Sequence, residues 1–130
     1  MFDSEELLYR RYKAQFWVAG RFVDMGLPFP DPSFNRSKYS KPLDVLTDGD
    51  ASFHEWGVLS CQVKEIPTNV EDGAGVAFDF FPRHDPQPQN RAHSVIAHRP
   101  RPPEKPPKTI RKKARIELGR RMKIQIAARS

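Results

Sequence analysis

The alternation of apolar and polar positions divides this chain into short elements separated by proline-rich breaks. Ser4-Glu5-Glu6-Leu7 has the form of a helix start, a capping hydroxyl followed by acids in the first turn. Leu7, Leu8 and Tyr12 would then line one side of a short helix. Gln15 to Val23 is dense in aromatic and β-branched residues and predicts a strand bent at Gly20. Gly26, Pro28, Pro30, Pro32 and Pro42 predict an irregular segment, with the polar run Ser33-Phe34-Asn35-Arg36-Ser37-Lys38-Tyr39-Ser40 inside it. Pro42 to Leu46 predicts one helical turn with proline at its first position, and Asp48-Gly49-Asp50 a tight turn.

The clearest strand runs from Trp56 to Ile66, where Leu59, Cys61 and Val63 share one face and Ser60, Gln62 and Lys64 the other. A second strand covers Val76 to Phe81, and the two are expected to pair antiparallel across a long connection. Ala92 to His98 predicts a third, short strand. Arg99 to Pro107 carries five prolines and predicts an extended, semi-rigid linker. Beyond it Ile110, Ala114 and Leu118 recur every fourth residue, predicting a helix over 108–118 that Gly119 ends or weakens. From Met122 to Ile126 a terminal strand competes with continued helix. The fold expected is α+β: a small, mainly antiparallel sheet with one or two short helices in residues 1–98, a proline-rich linker at 99–107, and a basic amphipathic helical tail at 108–130.

Composition changes this picture in one respect. The formal net charge is +6, but residues 1–98 hold ten Lys/Arg against fourteen Asp/Glu, while residues 99–130 hold twelve against two. The positive charge therefore belongs to the C-terminal segment. Such segments meet nucleic acid, acidic protein faces or anionic membranes. All nine Phe, three Tyr and two Trp lie within residues 1–81, so the core is expected there. The single cysteine, Cys61, allows no internal disulfide and reads as a buried small hydrophobe. The acidic start lacks the form of a signal peptide, no apolar run suits a membrane span, and a cytoplasmic location is the expectation.

Candidate chemistry is sparse. No His/Cys pair among His54, His84, His93, His98 and Cys61 has zinc-ligand spacing, so no metal and no cofactor is expected. There is no Walker loop, dinucleotide-binding glycine pattern or Gly-x-Ser-x-Gly elbow. Asp79 interrupts an apolar strand but falls on its outer face. Arg36, with Ser37 and Tyr39, offers a guanidinium fork suited to phosphate or carboxylate. Asn90 and His93 are expected to converge on that loop.

An early Tyr-Arg-Arg, the loop Pro32 to Ser37, a strand after Trp56, and the stretch Asp85 to His93 occur in that order. This arrangement resembles small uncharacterised bacterial proteins, some of them from defence or toxin-like gene neighbourhoods. The resemblance spans most of residues 9–98 and implies no established activity or catalytic role.

The leading functional expectation is a non-enzymatic accessory or adaptor. It would bind nucleic acid or an acidic protein surface through Lys108, Arg111, Lys112, Lys113, Arg115, Arg120, Arg121 and Lys123. The alternatives are a small nuclease-like or toxin-like enzyme for a phosphate-containing substrate, with Arg36, Tyr39, His84 and His93 sharing a pocket, and a structural subunit of a larger assembly.

Overall fold

The computed structural model describes residues 1–23, 27–47, 53, 55–71 and 73–129. The expected turn at 48–50 and His54 lie outside the described residues. The chain forms strands β1 (Leu7–Tyr12), β2 (Trp17–Val18), β3 (Arg21–Phe22) and β4 (Ser33–Arg36), helix α1 (Pro42–Leu46), and strands β5 (Gly57–Gln62), β6 (Val70–Glu71), β7 (Ala77–His84) and β8 (His93–Arg99). Helix α2 (Lys108–Arg121) and strand β9 (Lys123–Ile126) follow. Seven strands make one sheet in the order β6-β7-β8-β4-β1-β5-β9, and β2-β3 is a separate hairpin. Every pairing is antiparallel, and the large sheet curls into a half-barrel.

Several elements depart from the sequence reading for identifiable reasons. The helix-like start is a turn leading into β1. Asp3, not Ser4, supplies the side-chain acceptor, taking the Glu5 N–H at 2.9 Å, while the Glu6 N–H bonds the Asp3 carbonyl. Leu7 to Tyr12 then finds two strand neighbours, β4 and β5. The strand expected over 15–23 is a hairpin, with Ala19 and Gly20 both at positive φ in its two-residue turn. The segment expected to be irregular contains β4, which Pro32 leads into from outside the ladder. The two long strands do not pair: β8, β4 and β1 separate β5 from β7. Pro42 opens α1 as expected, and the Asp44 carboxylate accepts the Lys41 N–H there.

Residues 108–126 join this structure. One side of α2, formed by Ile110, Ala114 and Leu118, is fully buried against Leu8, Phe34, Leu59, Phe78, Phe80 and Ile96. Burying one such aliphatic side chain contributes about 1.5–3 kcal/mol. Between Met122 and Ile126 strand wins over helix, because β9 completes the sheet edge beside β5. The opposite face of the sheet carries a smaller cluster of Tyr9, Val45, Leu46 and Val58 under α1. Cys61 belongs to the larger core, and burial pushes its thiol up to about 12, where it is inert. The proline-rich segment is tied down: the Pro103 carbonyl meets His98 Nε2 at 2.9 Å, and Arg101 forms two hydrogen bonds to Asp31.

Gly119 gives a test of this docking. It lies inside α2, and a Cβ placed there would come within 2.7 Å of the Phe22 carbonyl oxygen. In a solvated helix Gly→Ala stabilises by about 1 kcal/mol. Here Gly119→Ala is expected to destabilise by about 1–3 kcal/mol through overpacking. Urea unfolding of the two proteins decides the sign, and a stabilised variant would mean that α2 is not seated on the hairpin.

Candidate functional site

Alternation along β4 sends Phe34 and Arg36 to one face and Ser33 and Asn35 to the other. Arg36 is 1 % exposed. Its Nε and Nη2 donate to the two carboxylate oxygens of Glu6, each at 2.8 Å, and Nη2 also reaches the Met1 carbonyl. Phe2 and Tyr39 cover the guanidinium at 3.8 and 5.2 Å. The Tyr39 ring in turn meets His84 at 5.5 Å and Arg91 at 4.7 Å. Arg36, Tyr39 and His84 therefore come together. The fork of Arg36, however, is occupied by Glu6 and closed over by rings, which makes it a clasp on the N-terminal segment. Desolvation, with Arg36 close by, holds the His84 imidazole below its usual range. His93 does not join this group.

His93 lies on the opposite face, on a cavity of about 630 Å³. Its Cα pairs with Asn35, and its Nε2 is 3.1 Å from Ser33 Oγ. Nδ1 lies 2.9 Å from the Asp85 carbonyl and 3.2 Å from the Asp85 carboxylate. Asn90 donates to Asn35 Oδ1 at 2.9 Å, so Asn90 and His93 both reach β4, at Asn35 and Ser33, although neither touches Arg36.

The cavity exists because β1 and β4 part company. They pair only at Leu8↔Arg36 and Tyr9↔Asn35, whereas β1 stays paired with β5 through Tyr12. Arg10 fills the seam: Nη1 donates to the Ser33 carbonyl at 2.8 Å and the guanidinium lies over Phe34 at 5.7 Å. Its Nε is buried with no hydrogen-bond partner. Arg11 stands beside it, stacked on Phe53 at 3.8 Å and bonded to the Val45 carbonyl. Among the described residues no carboxylate forms an ion pair with either arginine. Desolvation, aided by the charge of Arg11, lowers Arg10 to about 10, which still leaves it a cation at neutral pH. Asp31 also lines the cavity, but Arg101 holds it at 3.0 and 2.7 Å.

Most of the candidate basic residues of the C-terminal segment lie on the outer side of α2, and Lys123 opens β9. Lys108, Lys112 and Lys123 are exposed. Arg111 bonds the Pro106 carbonyl, and Lys113 the Glu71 carbonyl. Arg120 and Arg121 share Glu117 at 3.7 and 2.9 Å. Arg115 has a buried Nε without a partner.

Among the described residues no group of three or more His, Cys, Asp or Glu could hold a metal ion, and no helix is long and apolar enough to cross a membrane. Comparison with protein-family models, curated proteins and solved structures finds no match to this chain. Sequence reasoning missed Arg10, Arg11, Ser33 and Asp85 as a constellation. The available signal was the charged pair Arg10-Arg11 between Tyr9 and Tyr12, hidden by reading the segment as a helix.

The Arg36–Glu6 clasp has a pH signature. Burial alone would raise the Glu6 carboxyl, but the hydrogen bonds and charge of Arg36 outweigh it, and Glu6 sits below the ordinary carboxylate range. A depressed carboxyl contributes stability that is fully present above its unfolded value, about 4.3, and is lost as pH falls through the folded value. Glu6→Gln leaves Arg36 buried and unpaired, and is expected to cost about 3–5 kcal/mol at pH 7. The gap from wild type should shrink below about pH 4. A gap that stays constant in urea titrations from neutral to acid pH would show that the pair has no such linkage.

Proposed function

We propose that this protein binds a phosphate-bearing small molecule in the cavity between β1 and β4, with Arg10 and Arg11 holding the anion. One observation carries the reading. Arg10 is a desolvated cation with an unpartnered Nε, set beside a second arginine, on a cavity of about 630 Å³. A partly buried cation with no carboxylate partner is costly, and an anionic ligand would supply the counter-charge. The guanidinium is planar and matches phosphate oxygens in pairs. Ser33, Asn35, Asn90 and His93 line the same cavity and offer hydrogen-bonding groups around the anion. The Arg36 cluster supports this role less well, because Glu6 already neutralises it.

Titration calorimetry with inorganic phosphate tests the proposal. Phosphate is expected to bind the wild type and raise its melting temperature, since a ligand of the folded state stabilises by mass action. Arg10→Met keeps the apolar stem and removes the charge. It should weaken binding by about ten-fold or more, without lowering the stability of the ligand-free protein. A variant that binds phosphate like wild type, or that unfolds more readily, would assign Arg10 a structural role instead.

A second reading concerns α2. Its apolar stripe faces the protein's own core, Lys108, Lys112, Lys113, Arg120, Arg121 and Lys123 are exposed, and residues 108–123 hold eight Lys/Arg against the single acid Glu117. This arrangement supports contact with the phosphate backbone of nucleic acid, a charge-driven and sequence-independent attraction. Binding to duplex DNA should then weaken steeply with salt. Replacing Lys108 and Lys112 by Ala should reduce the slope of log K on log salt by about 0.9 for each phosphate that the variant no longer neutralises. An unchanged slope would remove these two side chains from the interface.

A further inference from the structure

We infer that Ser33, His93 and Asp85 are a nucleophile, its base and the base's positioning group, and that they hydrolyse a carboxylic ester of the phosphate-bearing ligand proposed above. The identity of the substrate rests on that reading; the hydrolytic centre rests on separate geometry. Two neighbouring strands, β4 and β8, and the residue just after β7 supply the row. The β7–β8 ladder ends at His84↔Ser94, and the next step brings Asp85 opposite His93, with the Asp85 N–H bonded to the His93 carbonyl at 3.0 Å. In the β4–β8 ladder His93 faces Asn35, and Ser33 is the next residue of β4 on that face. Sheet register thus sets Ser33 and His93, and the backbone bond to His93 fixes Asp85 just beyond the end of β7.

The ring's orientation follows from its partners. Nδ1 faces only acceptors, the carbonyl and carboxylate of Asp85 at 2.9 and 3.2 Å, so Nδ1 carries the hydrogen. In the neutral ring this leaves the Nε2 lone pair directed at Ser33 Oγ, 3.1 Å away. The His93 side chain is 13 % exposed, whereas Ser33 is exposed and lines the cavity. A hydroxyl hydrogen-bonded to an imidazole that a third group orients is the arrangement nucleophilic catalysis needs. Arg10, 2.8 Å from the Ser33 carbonyl, adds positive charge in the cavity where an oxyanion would form.

The steps balance without an added reagent. Ser33 Oγ bonds to the ester carbonyl carbon as its proton passes to His93 Nε2, and the carbonyl electrons move onto oxygen. Collapse breaks the ester C–O bond, and Nε2 returns the proton to the departing alcohol. Water then adds to the acyl-Ser33, giving a proton to Nε2. The Ser33 Oγ–C bond breaks, Oγ regains the proton, and the acid departs. The sum is ester plus water to acid plus alcohol.

The test is covalent. Full-length protein is treated with a fluorophosphonate, which phosphonylates an activated serine with loss of fluoride, and the adduct is mapped by peptide mass spectrometry. One adduct is expected, on Ser33, formed about 100-fold or more slowly in His93→Gln. Saturating inorganic phosphate should slow it. Asp85→Asn should lower kcat for 4-nitrophenyl acetate hydrolysis with KM unchanged, as a positioning role requires. An unmodified Ser33 in protein that retains a cooperative thermal transition overturns the hydrolytic centre, as does equal labelling of a folded His93→Gln. If phosphate binds through Arg10 but Ser33 is inert, only the hydrolytic step falls. If Ser33 reacts but phosphate neither binds nor protects, the phosphate-bearing substrate is overturned.

Discussion

The structure depends on one packing constraint: a curled antiparallel sheet has an apolar concave face, and a helix must fill it. Leu8, Phe34, Leu59, Phe78, Phe80 and Ile96 come from five strands, and Ile110, Ala114 and Leu118 of α2 join them in one buried cluster. The remaining placements follow from that seat. The chain must cross from β8 back over the sheet to reach it, so residues 99–107 are fastened on the way by His98 and Asp31. Leaving α2, it must return to an open edge, and β9 takes the edge beside β5. Because the apolar stripe is turned inward, the positive charge of the segment is turned outward. The amphipathic pattern expected of the tail is thereby satisfied within the chain.

Two arginines show how the same side chain takes opposite roles in one sheet. Arg36 enters a buried site with a carboxylate, two aromatic lids and a backbone carbonyl, so its charge is cancelled and its geometry closed. Arg10 enters a site with one backbone carbonyl, one ring and a like charge for a neighbour. Opposite shifts record the difference, Arg36 upward from its hydrogen bond to Glu6 and Arg10 downward from desolvation. The first arrangement stabilises a fold without a ligand, and the second is relieved by an anion from outside.

The sequence revealed elements better than their neighbours. Period-two alternation placed strands near β5, β7 and β8, but the strand expected over 56–66 ends at Gln62, where a 3-10 turn at Val63–Glu65 takes over, and β7 runs on to His84. It mispaired β5 with β7, since which strands meet depends on the helix inside the curl and not on either strand. Local signals misled where a side chain did something other than its common task, as when Asp3 made a turn that resembled a helix cap. The candidate site divided along the same line. His93 and Asn90 were legible as polar residues beside a strand, and Arg36 as a guanidinium in a polar loop. Nothing local tells that Arg36 meets Glu6 while Arg10, among the described residues, meets no acid, because both outcomes are settled by residues 23–35 positions away.

The linker and the cavity are joined by Asp31. Asp31 lines the cavity with Arg10 and Arg11, and left free it would be the natural counter-ion for either. Arg101, from the proline-rich segment, takes both of its carboxylate oxygens. The bidentate geometry fixes the acid in one orientation, and its pKa is lowered chiefly by that hydrogen bonding, so Asp31 is held as an anion whose charge is already answered. Among the described residues the cavity therefore keeps two cations without a carboxylate partner, because a third, from the C-terminal segment, occupies the nearby acid. The uneven charge of the sequence, acidic before residue 99 and basic after it, thus acts inside the fold as well as on its surface. Part of the basic segment neutralises the protein's own acids, and this is what leaves the arginines of β1 available to an anion.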